Sequence, residues 1–450
     1  MRTFVSFAPG PAETVRAAAR PLADDDVQPV LDEIGDASLV LMGEATHGTH
    51  EFYALRARVT RALIAERGFS AVAIEGDWPE AYQVNRYVRG EGGASVGGAV
   101  EALAGFARFP TWMWGNTAVA GFVRWLHAYN ATLHDPGARV GFYGLDLYSL
   151  HASMRAVVDY LEQHDPEAAS QARRSYACFD AFGNNTDTYA WATGRLGNGT
   201  CEDAVVRELL ALRGRRSDFL RRAGDEASDE FFYAEQNARL AQNAERYYRT
   251  MFQGQVASWN VRDRHMAETL EALREHLRSR GQAEKIVVWA HNSHLGDARA
   301  TEMGEVGELN LGQMVRERHG PACKLIGQTT YSGTAIAASD WGRPGERKQV
   351  RPALTGSIEA LFHQTGLPRF LLPLGAGTDV HALLTERRLE RAIGVIYRPE
   401  TERRSHYFHA RLAAQFDAVI HQDATQAVEP LEPIDVKEDS ELPETYPSGV

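Results

Sequence analysis

The chain has 450 residues, 44% of them hydrophobic and 24% charged, an ordinary globular composition with length enough for one large core or two. Its 60 acidic against 48 basic residues give a net charge of -12, which argues against a general nucleic-acid binder and suits a soluble enzyme. Cys178, Cys201 and Cys323 are far apart and odd in number, so no disulfide framework or zinc-ribbon spacing is expected, and a reducing, cytoplasmic setting is the simplest reading. The opening "MRTFVSFAPGPAETVRAAARPL" lacks the apolar core of a signal peptide, and no run approaches the roughly 18 apolar residues of a membrane span.

In chain order, the apolar run "SLVLMGE" ends at Glu44. The stretch "LMGEATHGTHEF" then holds Glu44, His47, His50 and Glu51. Phe52, Leu55, Val59 and Leu63 fall at helical spacing, which predicts a helix from about Glu51 to Arg67, stopped by Gly68. "SAVAIEGD" ends at Glu75 and Asp77. "GEGGAS" reads as a surface loop, since it lacks the lysine of a phosphate loop. "ARVGFYGLDL" reaches Asp146. From about Leu150 to Arg280 the segments "VVDYLEQ", "EDAVVRELLALRGRRSDFL", "FFYAEQNARLAQNAERYYRTMF" and "NVRDRHMAETLEALREHLRSR" read as helices, interrupted by the turn-like "FGNNTDTYAWATGRLGNGT". "KIVVWAHNSH" brings His291 and His294, and "KLIGQTT", "FLLPL", "AIGVIYRP" and "DAVIHQD" follow. The short apolar runs read as fully buried parallel strands. Their alternation with helices predicts an α/β fold with a mainly parallel central sheet flanked by helices, and a helical insertion subdomain. On this reading residues 1–149 and 281–425 are the two parts of the α/β core, 150–280 the helical subdomain, and 426–450 a loosely held acidic, proline-rich tail. No internal repeat is present.

In an open parallel sheet, ligands bind beyond the carboxyl ends of the strands. Four of these strands end in ionisable groups: Glu44 with His47, Glu75, Asp146, and His291 with His294. Their convergence on one sheet edge suits acid–base chemistry, in which a base sits near the proton it removes and a partner fixes its tautomer. No Gly-x-Ser-x-Gly elbow occurs, and Ser293 has no mark of activation beyond lying between two histidines. His47/His50 and His291/His294 are both His-x-x-His pairs with carboxylates nearby, so a metal site stays open. Neither matches His-Glu-x-x-His, and Gly48 argues against a regular helix presenting both rings.

Taken together, "GEATHGTHEF", "IEGDWPEAYQVNRYVRG", "FPTWMWGN", "GFYGLDLYSLHASM", "VVWAHNSHLGDARA" and "SHYFHARL" resemble the erythromycin esterase family over nearly the whole chain. The resemblance implies hydrolysis of a carboxylic ester, macrolactones such as erythromycin included, without a covalent nucleophile. It implies His47 as the base that activates water and Glu44 as the carboxylate that orients it. Arg56, Glu75, His291 and His294 fall on further positions of the family's active-site motifs. The family fold, a parallel sheet with a helical subdomain, agrees with the pattern reading.

Each residue also has a plainer reading. His50 caps or faces solvent as readily as it binds substrate. Glu75 and Arg56 would serve equally in a structural ion pair, Arg56 alternatively stabilising an oxyanion. Asp146 would cap the next helix. Trp112, Met113 and Trp114 suit a core as well as a substrate platform. His406 and His409 suit a helix start or a structural network. The expectation is a metal-independent ester hydrolase with no cofactor and a small-molecule ester as partner, using neither nucleic acid nor membrane. The alternatives are a metal-dependent hydrolase using the same histidines, and a non-catalytic small-ligand-binding protein. Oligomeric state cannot be read from the sequence.

Overall fold

A parallel strand covered on both faces must be apolar at every position, and alternate residues must serve two different cores. The computed structural model describes residues 9–23, 26–91, 97–182, 186–194 and 199–431. Its strands in chain order are β1 (Arg20–Pro21), β2 (Leu39–Met42), β3 (Ala71–Asp77), β4 (Gly141–Asp146), β5 (Ile286–Trp289), β6 (Cys323–Ala337), β7 (Glu346–Val350), β8 (Arg369–Pro373), β9 (Arg388–Arg391), β10 (Tyr407–Ala410) and β11 (Ala418–Thr425). One sheet runs β1-β8-β11-β6-β2-β5-β3-β4, with β7 antiparallel on β6, while β9 and β10 pair separately. From β11 to β4 every pairing in that order is parallel. Leu39, Leu41, Ala71, Ala73, Ile286 and Val288 enter one core; Val40, Met42, Val72, Ile74, Val287 and Trp289 enter the other. The second core is closed by helices including His50–Arg67, Trp78–Val88 and Thr117–Ala131.

The predicted helix at Glu51 to Arg67 is present as His50–Arg67. Phe52, Leu55, Val59 and Leu63 are buried, and Gly68 ends it at φ 68°. Between β4 and β5 the described elements are all helical: Leu150–His164, Pro166–Tyr176, Thr186–Gly194, Glu202–Gly214, Arg216–Thr250 and Gln255–Ser279, besides two short 3-10 turns. The last of these α-helices packs on β4. Although β5 follows this whole insertion, it enters the sheet between β2 and β3. Trp289 is aligned with Met42 on one side and Ile74 on the other. The chains leaving these strands therefore emerge side by side.

Several expectations are corrected. "FLLPL" forms β8, which is antiparallel to both of its neighbours. "AIGVIYRP" is buried but makes only isolated bridges, Ile393 with Thr46 and Ile396 with Ala338, because it crosses beyond the strand ends instead of joining the sheet. The turn-like "FGNNTDTYAWATGRLGNGT" contains the helix Thr186–Gly194. "SHYFHARL" holds β10 and no helix start at His406; His406 is buried, and His409 faces Glu302 at 2.9 Å. Cys178 and Cys201 form a disulfide, so the cysteine-based case for a reducing compartment falls; two half-cystines 23 residues apart in a helical region form no recognisable spacing. Residues 426–431 are packed, not loose: Val428 is fully buried and donates to the Gly48 carbonyl at 2.9 Å, and Leu431 donates to that of Gly115 at 2.9 Å. The rest of the tail and most of "GEGGAS" lie outside the described residues. Among the described residues no helix is long and apolar enough to cross a membrane.

Candidate active site

Two glycines make the turn after β2 possible. Gly48 has φ 68°, and a Cβ there would collide with the backbone of Ile336; a Cβ on Gly43 would collide with the side chain of Asn292. The turn buries Glu44 and His47 and leaves His50 exposed at the helix start, so His50 is not brought into the cluster. Glu44 Oε1 accepts from His47 Nδ1 at 3.0 Å and from the Tyr53 hydroxyl at 3.4 Å, and Oε2 accepts from Arg56 Nη2 at 3.1 Å. A carboxylate only accepts, so the His47 proton sits on Nδ1 and the lone pair on Nε2. The Arg56 guanidinium lies 4.4 Å from the centre of the Tyr53 ring and 5.5 Å from that of Trp289. It is fully buried and meets Glu44, while its Nε and Nη1 have no hydrogen-bond partner among the described residues.

The other half of the cluster is assembled from β3, β4, the segment after β5 and the helix Gln255–Ser279. Glu75 Oε2 accepts the His291 N–H at 2.7 Å. Its Oε1 accepts from Arg262 Nη2 at 2.9 Å and lies 3.2 Å from His294 Nε2. Arg262 also grips Asp146 through Nε and Nη2, at 3.0 and 2.7 Å. Asp146 accepts from the Leu147 N–H and does not cap the following helix, which starts after Ser149. His294 Nδ1 lies 2.9 and 3.0 Å from the two Asp263 oxygens, and its ring stacks on Trp259 at 4.5 Å.

Burial disfavours charge on every member of this group. At Glu75 burial is outweighed by His294, Arg262 and His47, which hold the carboxyl well below the usual range. At Asp146 it is outweighed by Arg262. At His294 it is outweighed by Asp263 and Glu75, which push the imidazole up to about 10. At Asp263 burial prevails over His294 and raises the carboxyl. For this pair the charged imidazolium is the firmer direction, because Asp263 and Glu75 face its nitrogens and together outweigh Arg262, whose Nη1 lies 3.1 Å from Nε2.

His291 is the opposite case. Its Nδ1 accepts the Ser293 N–H at 3.2 Å and lies 2.8 Å from Ser293 Oγ. A backbone N–H only donates, so the ring proton belongs on Nε2, and the Ala45 backbone is the acceptor acting on the ring. Burial and the nearby His47 push His291 well below the ordinary histidine range, so it is neutral. The His47 and His291 ring centres are 4.8 Å apart.

A cavity of about 40 Å³ opens beside this cluster. Glu75, Asp77, Glu80, Arg108, Asp146 and Arg262 supply its charged lining; Phe106, Phe109, Trp114 and Tyr148 supply aromatic walls. Trp114 also donates from Nε1 to the Glu75 carbonyl at 2.9 Å. Trp112 is fully buried in the core and does not line the cavity, and neither do Glu44, His47 or His291. Arg108 holds Asp77 at 2.8 Å and lies over the Tyr148 ring.

Sequence reasoning missed Arg262, Asp263, Tyr53, Tyr148, Arg108 and the use of Ser293 as a partner of His291. One signal was available for two of them. Trp259, Met266, Leu270, Leu273 and Leu277 form the buried stripe of their helix, and Arg262 and Asp263 occupy that same stripe. A charged pair on a core-facing stripe requires buried counter-charges, and Glu75, Asp146 and His294 are those counter-charges. Among the described residues no group of three or more His, Cys, Asp or Glu side chains is placed to hold a metal ion.

The fold and the cluster define an α/β protein with a buried cluster of ionisable side chains at the carboxyl edge of its parallel sheet. The family model for erythromycin esterase matches residues 64–425, and the chain belongs to that family. It is 23% identical over 364 residues to "Erythromycin esterase type II" of Escherichia coli, covering 76% of this chain and 82% of the relative. It is 22% identical over 352 residues to "Putative hydrolase YbfO" of Bacillus subtilis, covering 73% and 72%. Among solved structures it superposes on a succinoglycan biosynthesis protein with a TM-score of 0.74 at 20% identity, covering 94% of this chain and 98% of the other. It also superposes on a mutant erythromycin esterase in its open conformation, with a TM-score of 0.66 at 18% identity, covering 91% and 96%. Family membership points to a hydrolase, and these structures share the mixed α/β fold with its mostly parallel sheet.

Proposed function

We propose that the protein hydrolyses carboxylic esters with water as the nucleophile, His47 as the general base and no covalent intermediate. The observation that carries this reading is the His47 Nδ1–Glu44 contact of 3.0 Å, with Arg56 on the second Glu44 oxygen. That arrangement fixes the His47 tautomer with Nε2 as the basic nitrogen. His47 takes a proton from water, and the water oxygen bonds to the ester carbonyl carbon, giving a tetrahedral oxyanion. Neutral His291 donates its Nε2–H to that oxyanion, a role that a depressed pKa favours by keeping the imidazole uncharged. The imidazolium of His47 then protonates the leaving alkoxide, and the carboxylic acid and alcohol depart.

In this scheme Arg56 acts through Glu44 and is a positioning residue, not the oxyanion donor. Glu75, held ionised, orients water between the cavity and the histidines. His47 is 3% exposed, so substrate reaches it only when side chains at the cavity floor move. The aromatic walls suit a ring-bearing or lactone substrate, and a macrolactone is one member of that class.

The test is a panel of aryl esters, simple lactones and macrolides assayed with the protein and with His47→Ala. Hydrolysis of at least one ester by the protein, lost in folded His47→Ala, is the expected result. Equal hydrolysis by both would remove His47 from the mechanism. No hydrolysis of any member would favour a ligand-binding role.

A further inference from the structure

A second, smaller cavity of about 10 Å³ is lined in part by Ser293, the partner of His291. Its polar lining is Ser293, Thr301, Glu308, Asn310 and Gln415. This volume fits one water, given that roughly 10–15 Å³ of such space is needed to hold one. Gln415 is 1% exposed, and its Oε1 has no hydrogen-bond partner among the described residues. Glu308 is 6% exposed, and burial, the Asp263 charge and His294 act on its carboxyl. On the far side of the cavity Ser293 Oγ stands 2.8 Å from His291 Nδ1.

We propose that this cavity holds one bound water and that Glu308, acting through this water and Ser293, is a positioning residue that reinforces the His291 tautomer set by the Ser293 N–H. With Glu308 protonated, its O–H donates to the water. The water donates to Gln415 Oε1 and to Ser293 Oγ. Ser293 Oγ–H then donates to His291 Nδ1, which keeps the ring proton on Nε2, where the oxyanion is stabilised. His291 Nδ1 is then shared between the Ser293 Oγ–H and the Ser293 N–H. When Glu308 loses its proton the chain reverses. The water donates to the carboxylate and accepts from Ser293 Oγ–H, and His291 Nδ1 keeps only the longer Ser293 N–H contact of 3.2 Å. The Nε2–H tautomer then rests on that contact alone.

The direction of the pH effect follows from the surroundings of Glu308. Burial, then the Asp263 charge, raise its carboxyl to about 7, with His294 opposing them. The neighbours from the 298–305 segment and from the 408–415 elements, Ala298, Thr301, Met303, Phe408 and Gln415, do not titrate. The productive chain is therefore complete below about pH 7 and lost above it.

This inference rests on the ester-hydrolase reading for its kinetic test and stands apart from it for its spectroscopic one. In the resting protein, the ¹⁵N shifts of the His291 ring are followed from pH 5.5 to 8.5, a range of roughly 1.5 units either side of the midpoint. An acceptor-type Nδ1 signal that changes with a midpoint near 7, and does not change in Glu308→Gln, is the expected result. The side-chain amide introduced by Glu308→Gln donates to the water at every pH, as the protonated acid does. An identical titration in both proteins overturns the proposal, as does a Nδ1 signal that never moves. In the kinetic arm, kcat of the wild type falls several-fold above pH 7, whereas Glu308→Gln holds its low-pH kcat across the range. A uniform loss at all pH values in Glu308→Gln marks a merely structural residue and overturns the proposal. If no ester is hydrolysed, the catalytic reading fails while the ¹⁵N titration still decides the role of Glu308.

Discussion

The two halves of the buried ionisable cluster are built on different plans. Glu44, His47, Tyr53 and Arg56 come from one stretch of thirteen residues, and the Glu44 carboxylate accepts a side-chain hydrogen bond from each of the other three. Glu75, Asp146, Arg262, Asp263 and His294 come from four separate elements and meet only in the folded protein. The local half pairs one carboxylate with one guanidinium. The assembled half buries three carboxylates against one guanidinium and one imidazole, so each of its charges depends on the others. A local half is tuned by a turn, whereas an assembled half reports on the whole fold.

The largest expected effect comes from breaking the assembled half at its hub. Arg262→Ala strips Asp146 of its counter-charge and leaves Glu75 with His294 alone. Removing one partner from a buried pair costs about 3–5 kcal/mol. A urea titration should show that loss of stability together with loss of any hydrolysis. A variant with an unchanged unfolding midpoint would mean that water already screens these groups, and that the two halves do not differ in kind.

That contrast also explains what the sequence could reveal. The local half was legible because strand end, glycine turn and helix start are contiguous in "LMGEATHGTHEF", and resemblance supplied the roles. Glu75, Asp146, His291 and His294 were legible as strand ends, since an apolar run ending in an ionisable residue marks the carboxyl edge. Their partners Arg262 and Asp263 were hidden in an ordinary amphipathic helix about 115 residues beyond Asp146, because nothing local shows which charges a helix buries. The Cys178–Cys201 pairing and the packed segment 426–431 were hidden for the same reason: each depends on which distant segments meet.

The next effect tests the local half alone. His47→Ala removes the proposed base but leaves Glu44 paired with Arg56. It should lower kcat by roughly a thousandfold, within the usual range for general-base catalysis, and leave the unfolding midpoint nearly unchanged. Loss of stability as large as in Arg262→Ala would show that the local half is as interdependent as the assembled one.

A smaller, graded effect comes from pH. The His294 imidazole is raised to about 10 in the folded protein, against an ordinary value near 6.5. A raised cationic group contributes stability that is fully present below its unfolded value and is lost as pH rises toward its folded value. Stability should therefore decline between about pH 6.5 and 10, by on the order of a few kcal/mol, in urea titrations at several pH values. His294→Gln should be less stable at neutral pH and should flatten this slope. An equal slope in both proteins would assign the decline to other groups.

The smallest effect separates the two halves at the residue that lies between them. Ser293 touches His291 at 2.8 Å, a distance at which a serine could be mistaken for a nucleophile. Its contact is with Nδ1, the nitrogen that already accepts the Ser293 N–H, and its other neighbour is the cavity holding Glu308. A nucleophilic serine would have to turn its oxygen toward substrate, and Ser293 does not line the aromatic cavity beside Glu75. Ser293→Ala should therefore cost less than about tenfold in kcat, well below the loss on removing a catalytic nucleophile. A single turnover in heavy-oxygen water should place the label in the carboxylic acid product and leave the protein unlabelled. Label in Glu75 or Glu44 would mean that a carboxylate attacks the ester and forms an anhydride, which water then cleaves. His47 would in that case activate water only in the second step, and the division between a reacting local half and a supporting assembled half would have to be redrawn.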